Sequence, residues 1–286
     1  MNIEKIFILT VNRVDNQITY NNLPDELKKK VVFVVQKWER EKYNYDAEYL
    51  ILPDHITTEH PRAISETRKV IYEAGQDMKY AMLDDDITFG RRNSKYWSDV
   101  SNMEKSKKDC DDNDVNRMFE LFSNWLDEDD VTVCGCALSE NPPSGEIYSK
   151  NTSMTSAYWI NGKDFSDILS DLNLTETKVA EDIVFLLSLL VRGFGNRVSQ
   201  EFITFNHSVK NKSIKSTIWD KQTEEQTLND HKKIEKMFPG IYEILYKPGS
   251  SGHIRLEGGF RNYGKTRINW SKSYKSKSND LNDFFT

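Results

Sequence analysis

The sequence YAMLDDDITF, at residues 80–89, decides how the rest of the chain is interpreted. An apolar run ends in three consecutive carboxylates, Asp84, Asp85 and Asp86, and apolar residues return at Ile87 and Phe89. This pattern predicts a short buried strand with the acids at its carboxyl end. Like charges this close repel one another and lose hydration on burial, so a cation or strong hydrogen-bond donors must offset the cost.

A divalent cation is the simplest partner for these carboxylates. Hard oxygen ligands select Mg²⁺ or Mn²⁺, and Mg²⁺ is usually held by one or two carboxylates together with the phosphates of a substrate. The alternative is an acidic turn after an edge strand, which needs no ligand. The acids alone favour neither interpretation, so the rest of the chain must decide between them.

Composition limits the class of protein. The 286 residues are 37% hydrophobic and 29% charged, enough for one large domain with its own core. No apolar run approaches the ~20 residues of a membrane span, and the first residues do not resemble a signal peptide. We therefore expect a cytoplasmic protein with no membrane partner. Cys110, Cys134 and Cys136 lack CxxC spacing and are interpreted as reduced and structural.

Charge is unevenly distributed along the chain. The net charge is −6, but residues 205–286 contain fifteen Lys and Arg against nine Asp and Glu, a net +6. Residues 1–204 therefore carry a net −12. The basic C-terminal part permits a polyanionic partner without requiring one, because basic surface runs are more often simply solvated.

The first part of the chain alternates strands with helices. Strands are predicted at residues 3–10, 31–35 and 49–53, a short helix begins near Pro24, and a longer helix is predicted at about 61–74. This alternation implies an α/β fold with a doubly wound, mostly parallel sheet, which binds ligands beyond the carboxyl ends of its strands. The loop after the first strand and the three acids both lie at that edge.

The later part adds a buried helix that begins with two carboxylates. Strands are predicted at residues 131–137 and 199–205, and the aromatic stretch 156–161 is interpreted as an edge strand beside a cleft. The helix is apolar on nearly every side, yet Glu181 and Asp182 stand in its first turn. These acids either stabilise the helix dipole or, in the case of Asp182, act as a base.

The polar segment at residues 94–114 is interpreted as a mobile loop over the site. Asp109, Asp111, Asn113 and Glu120 match several ligand positions of a calcium-binding loop, but the glycine that such a loop requires is absent. A solvated helix start is the preferred interpretation of these acids.

The order of these motifs resembles that of GT-A glycosyltransferases. Residues 84–86 satisfy the DxD motif of that family, Glu181 and Asp182 resemble its xED motif, and His207 resembles its C-terminal metal-binding histidine. The resemblance implies that Asp86, Asp84 and His207 hold Mn²⁺ or Mg²⁺, and that Asp182, with Glu181, supplies the catalytic base.

A closer resemblance is to the phage and TET/JBP-associated glycosyltransferases, which are predicted to modify hydroxymethylated bases in DNA. The similarity covers nearly the whole chain, and the net negative charge is its main departure. Its marks are Arg13 followed by Thr19 and Leu23-Pro24, Thr67-Arg68 before the acids, residues 205–208 leading to Ser216 and Trp219, residues 238–240, and the late Arg255, Gly259 and Trp270.

This resemblance implies an enzyme that moves a sugar from a UDP-sugar to 5-hydroxymethylcytosine, or a related hydroxymethylpyrimidine, in double-stranded phage DNA. The enzyme would then work in the cytoplasm of the host cell. The alternatives are a glycan or protein acceptor, a metal-dependent nuclease or nucleotidyl-transfer protein, and a non-enzymatic nucleotide-binding module. The residues expected to bind the donor are Thr10, Asn12, Arg13, Arg68, Asp84 and Asp85.

Two regions follow from the same resemblance. Residues 1–208 are expected to form the GT-A-like core that binds nucleotide sugar and metal, and residues 209–286 a mixed basic extension that packs on it and faces the acceptor. The side chains expected to meet DNA phosphates are Lys210, Lys212, Lys215, Arg261, Lys265, Arg267, Lys272, Lys275 and Lys277.

Overall fold

The computed structural model describes residues 2–57, 60, 62–96, 99–207, 224–248, 254–255 and 262–274. Its strands are β1 (Lys5–Leu9), β2 (Val31–Val35), β3 (Glu48–Ile51), β4 (Lys79–Asp84), β5 (Ile87–Arg91), β6 (Lys108–Asp109), β7 (Val133–Leu138), β8 (Tyr148–Lys150), β9 (Ala157–Asn161), β10 (Asn196–Asn206), β11 (Tyr242–Pro248), β12 (Ile254–Arg255) and β13 (Asn262–Ile268). Its helices are α1 (Ile18–Asn21), α2 (Asp25–Lys28), α3 (Ala63–Ala74), α4 (Val100–Lys105), α5 (Asp112–Trp125), α6 (Glu181–Leu190), α7 (Glu224–Met237) and α8 (Trp270–Ser273).

The larger sheet contains ten strands, and most of them run in one direction. The strand order is β3-β2-β1-β4-β9-β7-β10-β5-β6, and β8 pairs with β10. β1 is parallel to both β2 and β4, β2 to β3, and β7 to β10. Within the described part of this sheet, only β5, β8 and β9 run against the other strands.

Hydrophobic layers cover both faces of this sheet. In β2, Val31, Phe33 and Val35 point into one layer, and Val32 and Val34 point into the other. The first layer includes side chains of α2 and α5, and the second includes side chains of α3 and α6. Burial on both faces explains why this strand is an unbroken apolar run. The predicted α/β fold, doubly wound around a mostly parallel sheet, is confirmed.

The three acids lie where the chain reverses direction. β4 ends at Asp84, Asp85 and Asp86 form the turn, and β5 begins at Ile87 and runs the opposite way. Although only two residues join β4 to β5, the strands β9, β7 and β10 lie between them in the sheet. The acids are therefore at the carboxyl end of a buried strand, as predicted, but the apolar residues after them belong to a second strand.

Two predicted elements differ from the structure. The aromatic stretch forms β9, which is a central strand between β4 and β7 and not an edge strand. Its Trp159 is fully buried and contacts Phe119 and Phe122 in the core, so it lines no cleft. Four consecutive apolar residues, AYWI, bury both faces of the strand, which is the pattern of a strand with neighbours on each side.

The segment predicted to be a mobile loop contains regular structure. It includes α4, the short strand β6 and the start of α5. Asp111 caps the start of α5, because its side chain accepts a hydrogen bond from the backbone N–H of Asp114 at 2.8 Å, and Asn113 lies in the first turn. Asp109 ends β6, and Glu120 lies further along α5. The preferred interpretation, a helix start, is thus confirmed.

A separate hydrophobic cluster joins α6 to the C-terminal elements. Val184 and Leu187 of α6 contact a group that includes Leu228 and Ile234 of α7 and Tyr242 of β11. β11, β13 and β12 form a small antiparallel sheet beside them.

The division of the chain at residue 208 stays a prediction. In the described part of the chain, no helix combines the length and the apolar character needed to cross a membrane.

Candidate functional site

The loop after β1 turns sharply at Asn12. This residue has a φ of 56°, in the left-handed region that asparagine tolerates better than most residues. Its backbone N–H donates a hydrogen bond to Glu39 Oε1 at 2.6 Å. The turn brings the next residue, Arg13, to the acids at the end of β4.

Arg13 neutralises two of the three acids. Its guanidinium lies 2.5 Å from Asp85 Oδ1 and 3.1 Å from Asp86 Oδ2, and all three side chains are largely buried. Burial raises the pKa of Asp85 to about 7, although Arg13 and a hydrogen bond from Thr10 lower it. The hydrogen-bond donors required by a buried acidic turn are therefore present within the chain itself.

Arg68 connects the acidic turn to α6. This residue of α3 lies 3.2 Å from Glu181 Oε1 and 3.7 Å from Asp84 Oδ1, and its guanidinium is 5.5 Å from the centre of the Tyr158 ring. Burial lowers the pKa of Arg68, but Glu181, Tyr158 and Asp84 outweigh this effect and raise it well above its ordinary value. One buried cation thus brings together the two acidic motifs.

The two acids at the start of α6 differ in exposure and in their partners. Burial raises the pKa of Glu181 to about 7 and also raises the pKa of Asp182, while Arg68 lowers both. Glu181 is buried and paired with Arg68, whereas Asp182 is partly exposed and accepts a hydrogen bond from the Ile183 N–H at 2.8 Å. An accessible carboxylate with a raised pKa is a stronger base than an ordinary aspartate, which suits it to accept a proton.

Thr19 holds the acidic turn in place, a role that the sequence did not reveal. Its hydroxyl is 2.6 Å from the Asp84 carbonyl oxygen and 3.0 Å from the Ile87 N–H, and its own N–H donates to the Asp85 carbonyl oxygen at 3.1 Å. The side chain is fully buried. Because these bonds are made to backbone groups, no residue pattern around the acids could have indicated them.

Backbone strain is concentrated around the same turn. Asn12, Ser156 and Ala180 all have φ between 56° and 66°. Asn12 precedes Arg13, the Ser156 carbonyl accepts a hydrogen bond from the Asp84 N–H at 2.9 Å, and Ala180 precedes Glu181. Left-handed conformations of residues other than glycine persist only where their surroundings enforce them, and such residues are common at functional sites.

Thr10, a predicted donor-binding residue, lies in a polar cluster whose other members were not predicted from the sequence. Thr10 Oγ1 contacts Gln17 Nε2 at 2.7 Å and Tyr43 Oη at 3.1 Å. Gln17 Oε1 and Glu39 Oε2 are buried and have no hydrogen-bond partner. Glu39 lies in a short 3₁₀ helix rich in charged residues, where nothing in the sequence marks it as buried.

His207 lies at the turn through its backbone, whereas its ring contacts Thr88. The backbone N–H of His207 donates to the Asp86 carbonyl oxygen at 3.0 Å, and the ring Nε2 is 2.9 Å from Thr88 Oγ1. Within the described ranges, no three His, Cys, Asp or Glu side chains form a group that could hold a metal ion. The metal set of Asp84, Asp86 and His207 stays a prediction.

Comparison with known proteins gives three findings. A family model described as TET-Associated Glycosyltransferase matches residues 4–213. No curated protein matches the sequence. Among solved structures, the chain is similar to a UTP-bound UGPase from Acinetobacter baumannii, with 7% sequence identity and a TM-score of 0.38, over 71% of this chain and 88% of that chain.

Proposed function

The chain belongs to the TET-associated glycosyltransferase family and is a glycosyltransferase, and we propose that it transfers a sugar from a UDP-sugar to a hydroxymethylpyrimidine, such as 5-hydroxymethylcytosine, in double-stranded DNA. The observation that carries this proposal is the position of Arg68 between Asp84 and Glu181. Arg68 thereby connects an acid proposed to bind the donor with the two acids proposed to supply the catalytic base. Sugar transfer requires both groups at one end of the sheet.

Donor binding is assigned to the loop after β1 and the acidic turn. Arg13 and Arg68 are cations that can form charge-assisted hydrogen bonds with the diphosphate. Gln17 Oε1 and Glu39 Oε2 are buried acceptors without partners, which suits them to receive N–H groups of a nucleobase. Thr10, Asn12 and Asp85 complete this side of the proposed site.

A divalent metal is the proposed cofactor at the acidic turn, where it would be shared with the donor. Asp84 and Asp86 are hard oxygen donors on one turn, and two carboxylates together with substrate phosphates are a usual environment for Mg²⁺. When bound, Mg²⁺ or Mn²⁺ would neutralise the diphosphate as charge develops on it. His207 is the proposed third ligand.

Asp182 is the proposed catalytic base. The hydroxymethyl oxygen of the acceptor forms a bond to the anomeric carbon, the bond from that carbon to the diphosphate breaks, and UDP leaves with the electron pair. The hydroxyl proton passes to Asp182. Glu181 is assigned a supporting role, because it is already paired with Arg68.

The basic extension is the proposed DNA-binding side. Lys265, Arg267 and Lys272 are exposed on described elements, and Arg267 pairs with Glu243. The remaining phosphate contacts predicted from the sequence lie outside the described residues. Such DNA would be met by a phage-encoded enzyme in the cytoplasm of its host.

The proposal is tested by incubating the protein with Mn²⁺, UDP-sugars and DNA that contains 5-hydroxymethylcytosine, followed by mass analysis of the nucleosides. We expect a mass gain of one sugar residue with at least one donor and none on unmodified DNA. If no mass gain occurs with any donor, DNA is ruled out as the acceptor. Cleavage of unmodified DNA would instead favour a nuclease.

A variant pair tests the role of the base in the same assay. Asp182→Asn should retain donor affinity and lose turnover by about 10² to 10⁴, which is the usual contribution of a general base. The matched control is Asp112→Asn, an exposed acid in the first turn of α5, which should behave like the wild type. Weak donor binding by Asp182→Asn would contradict the assignment.

A further inference from the structure

A carboxylate of α7 holds the chain just before α6. Asp230 is buried, and its Oδ2 accepts a hydrogen bond from the backbone N–H of Lys178 at 2.7 Å. Lys178 lies two residues before the left-handed residue Ala180, and the candidate catalytic acids follow immediately. α7 itself lies outside residues 4–213, the part of the chain that matches the family.

Two further contacts hold the same short segment, one from α7 and one from α3. Lys233, one turn after Asp230 in α7, places its Nζ 3.3 Å from the Glu176 carbonyl oxygen. Ser65 of α3 places its hydroxyl 3.4 Å from the carbonyl oxygen of Thr177, and Thr177 is fully buried. Residues 176–178 are therefore fixed between α3, which carries Arg68, and α7.

The C-terminal elements also cover the face of α6 that points away from the main sheet. Leu228, Tyr242 and Ile234 pack with Val184 and Leu187 in one hydrophobic cluster. The cluster makes α7 part of the same packed unit as the helix that begins with the catalytic acids.

A buried polar pair lies in this packed unit. Tyr242 is fully buried, and its hydroxyl is 2.5 Å from Nδ1 of His231. Burial raises the pKa of Tyr242, and the charge of Asp182 contributes to that rise, so Asp182 lies within electrostatic reach of β11. The environment of the candidate base therefore includes residues from the C-terminal elements.

We propose that Asp230 is a positioning residue for sugar transfer, an inference that rests on the proposed function. A left-handed alanine is strained and persists only if the surrounding structure enforces it. The bond from Lys178 to Asp230 supplies that enforcement, and so fixes the direction in which Glu181 meets Arg68 and Asp182 meets the acceptor. The C-terminal elements thereby complete the active site.

Three variants of the full chain test this role. Asp230→Ala removes the acceptor, and we expect turnover to fall about 10- to 100-fold while the Michaelis constant for donor changes little, because a misplaced catalytic group slows the chemical step. Asp230→Asn retains a carbonyl oxygen that can accept from Lys178, and should restore most of the turnover.

The matched control is Glu235→Ala. Glu235 also lies on α7, and its carboxylate accepts a backbone N–H bond, from Ile244 at 2.9 Å, but that bond holds β11 and not the chain before α6. Turnover of Glu235→Ala should stay within about twofold of the wild type. An equal loss in this variant, no loss in Asp230→Ala, or no recovery in Asp230→Asn would each overturn the proposal.

A titration separates this inference from the proposed function. Carboxyl NMR of the wild type should show Glu181 titrating with a pKa of about 7. Asp230→Ala should shift that midpoint, because the acid moves relative to Arg68, while Glu235→Ala should not. If Asp230→Ala does not fold, Asp230→Leu, which is similar in size but lacks an acceptor, takes its place.

The two possible failures then give different results. If the wild type transfers no sugar to any acceptor, the proposed function fails and the shift of the Glu181 midpoint still decides the role of Asp230. If the wild type is active and the midpoint is the same in all variants, the positioning role fails alone.

Discussion

Two acidic runs in this chain have similar composition and different environments. The run at residues 111–114 opens α5, where Asp111 caps the helix locally and Asp112 is exposed. Its one buried acid, Asp114, pairs with Arg91 of β5 at 2.9 Å and with Lys108 of β6 at 3.5 Å. Helix geometry and two adjacent strands therefore explain the whole run.

The run at residues 84–86 caps no helix. Its acids stand in a turn between strands, and their partners are Arg13, which is 72 positions from Asp85, and Arg68 of α3. Two largely buried arginines from separate elements converge on these acids, and three residues with left-handed backbone lie around them. The comparison indicates that buried cations from separate elements, and not the density of acids, mark the acidic turn as the candidate site.

Removing Arg13 should have the largest effect on stability. Arg13→Ala leaves Asp85 and Asp86 buried without their cation, and breaking such a pair typically costs about 3 to 5 kcal/mol. The pKa of Asp85 is about 7 with Arg13 present and should be higher without it. The cost should therefore be largest at alkaline pH, shrink as pH falls toward 7, and be smallest below pH 7, where Asp85 is protonated in both proteins. Urea unfolding at pH 8 and pH 5 measures both quantities.

The control for this variant is Lys37→Ala. Lys37 and its partner Asp54 are both exposed and lie 3.0 Å apart, so the loss of this pair should cost only about 0 to 1 kcal/mol at either pH. Equal costs for the two variants would mean that the acidic turn is no different from a surface ion pair.

Removing Asp86 should separate activity from stability. Asp86→Ala should lower sugar transfer by about 10²-fold, the usual loss when a group that stabilises the transition state is removed. The melting temperature should not fall, because Asp85 retains its bond to Arg13 and one like charge is removed from the turn. Assays of transfer and thermal unfolding on the same samples measure both effects, and a marked loss of melting temperature would mean that the acids serve the fold.

Removing Asp111 should lower stability slightly and leave sugar transfer unchanged, the opposite of the result for Asp86. Asp111→Ala deletes the cap of α5 and should cost about 1 kcal/mol of stability, while Asp111→Asn should cost less because its amide oxygen still accepts the bond. Sugar transfer should be unchanged in both variants. Chemical unfolding and the transfer assay measure these effects, and any fall in turnover would place this run near the acceptor.

Much of the fold could be predicted because strands buried on both faces are visible as apolar runs. Val31–Val35 was predicted with its observed bounds for this reason. The position of β9 was wrong because the aromatic residues were assigned to a cleft, although the unbroken apolar run already indicated a central strand. Strand order itself depends on contacts between distant residues, which periodicity does not encode.

The candidate site was predictable in its residue types but not in its pairings. Acids at strand and helix ends, and the two arginines, were identified from the sequence. Which arginine meets which acid depends on how α3 and the first loop fold over the sheet. Thr19 and Asp230 act through backbone bonds, and Glu39 through burial, so their residue types carry no signal of their roles.

The acidic turn is also short for the distance that it spans. Neighbouring strands lie about 4.8 Å apart, so in a flat sheet the four steps from β4 to β5 would measure about 19 Å, whereas the three residue steps from Asp84 to Ile87 reach at most about 11 Å. The sheet must therefore curl until the two strand ends meet, and the irregular register of β10 between Ser199 and Ile203 contributes to that bend. An inserted residue would relax the curl and draw Asp84 away from Arg68, so the length of this turn is as restricted as its charge.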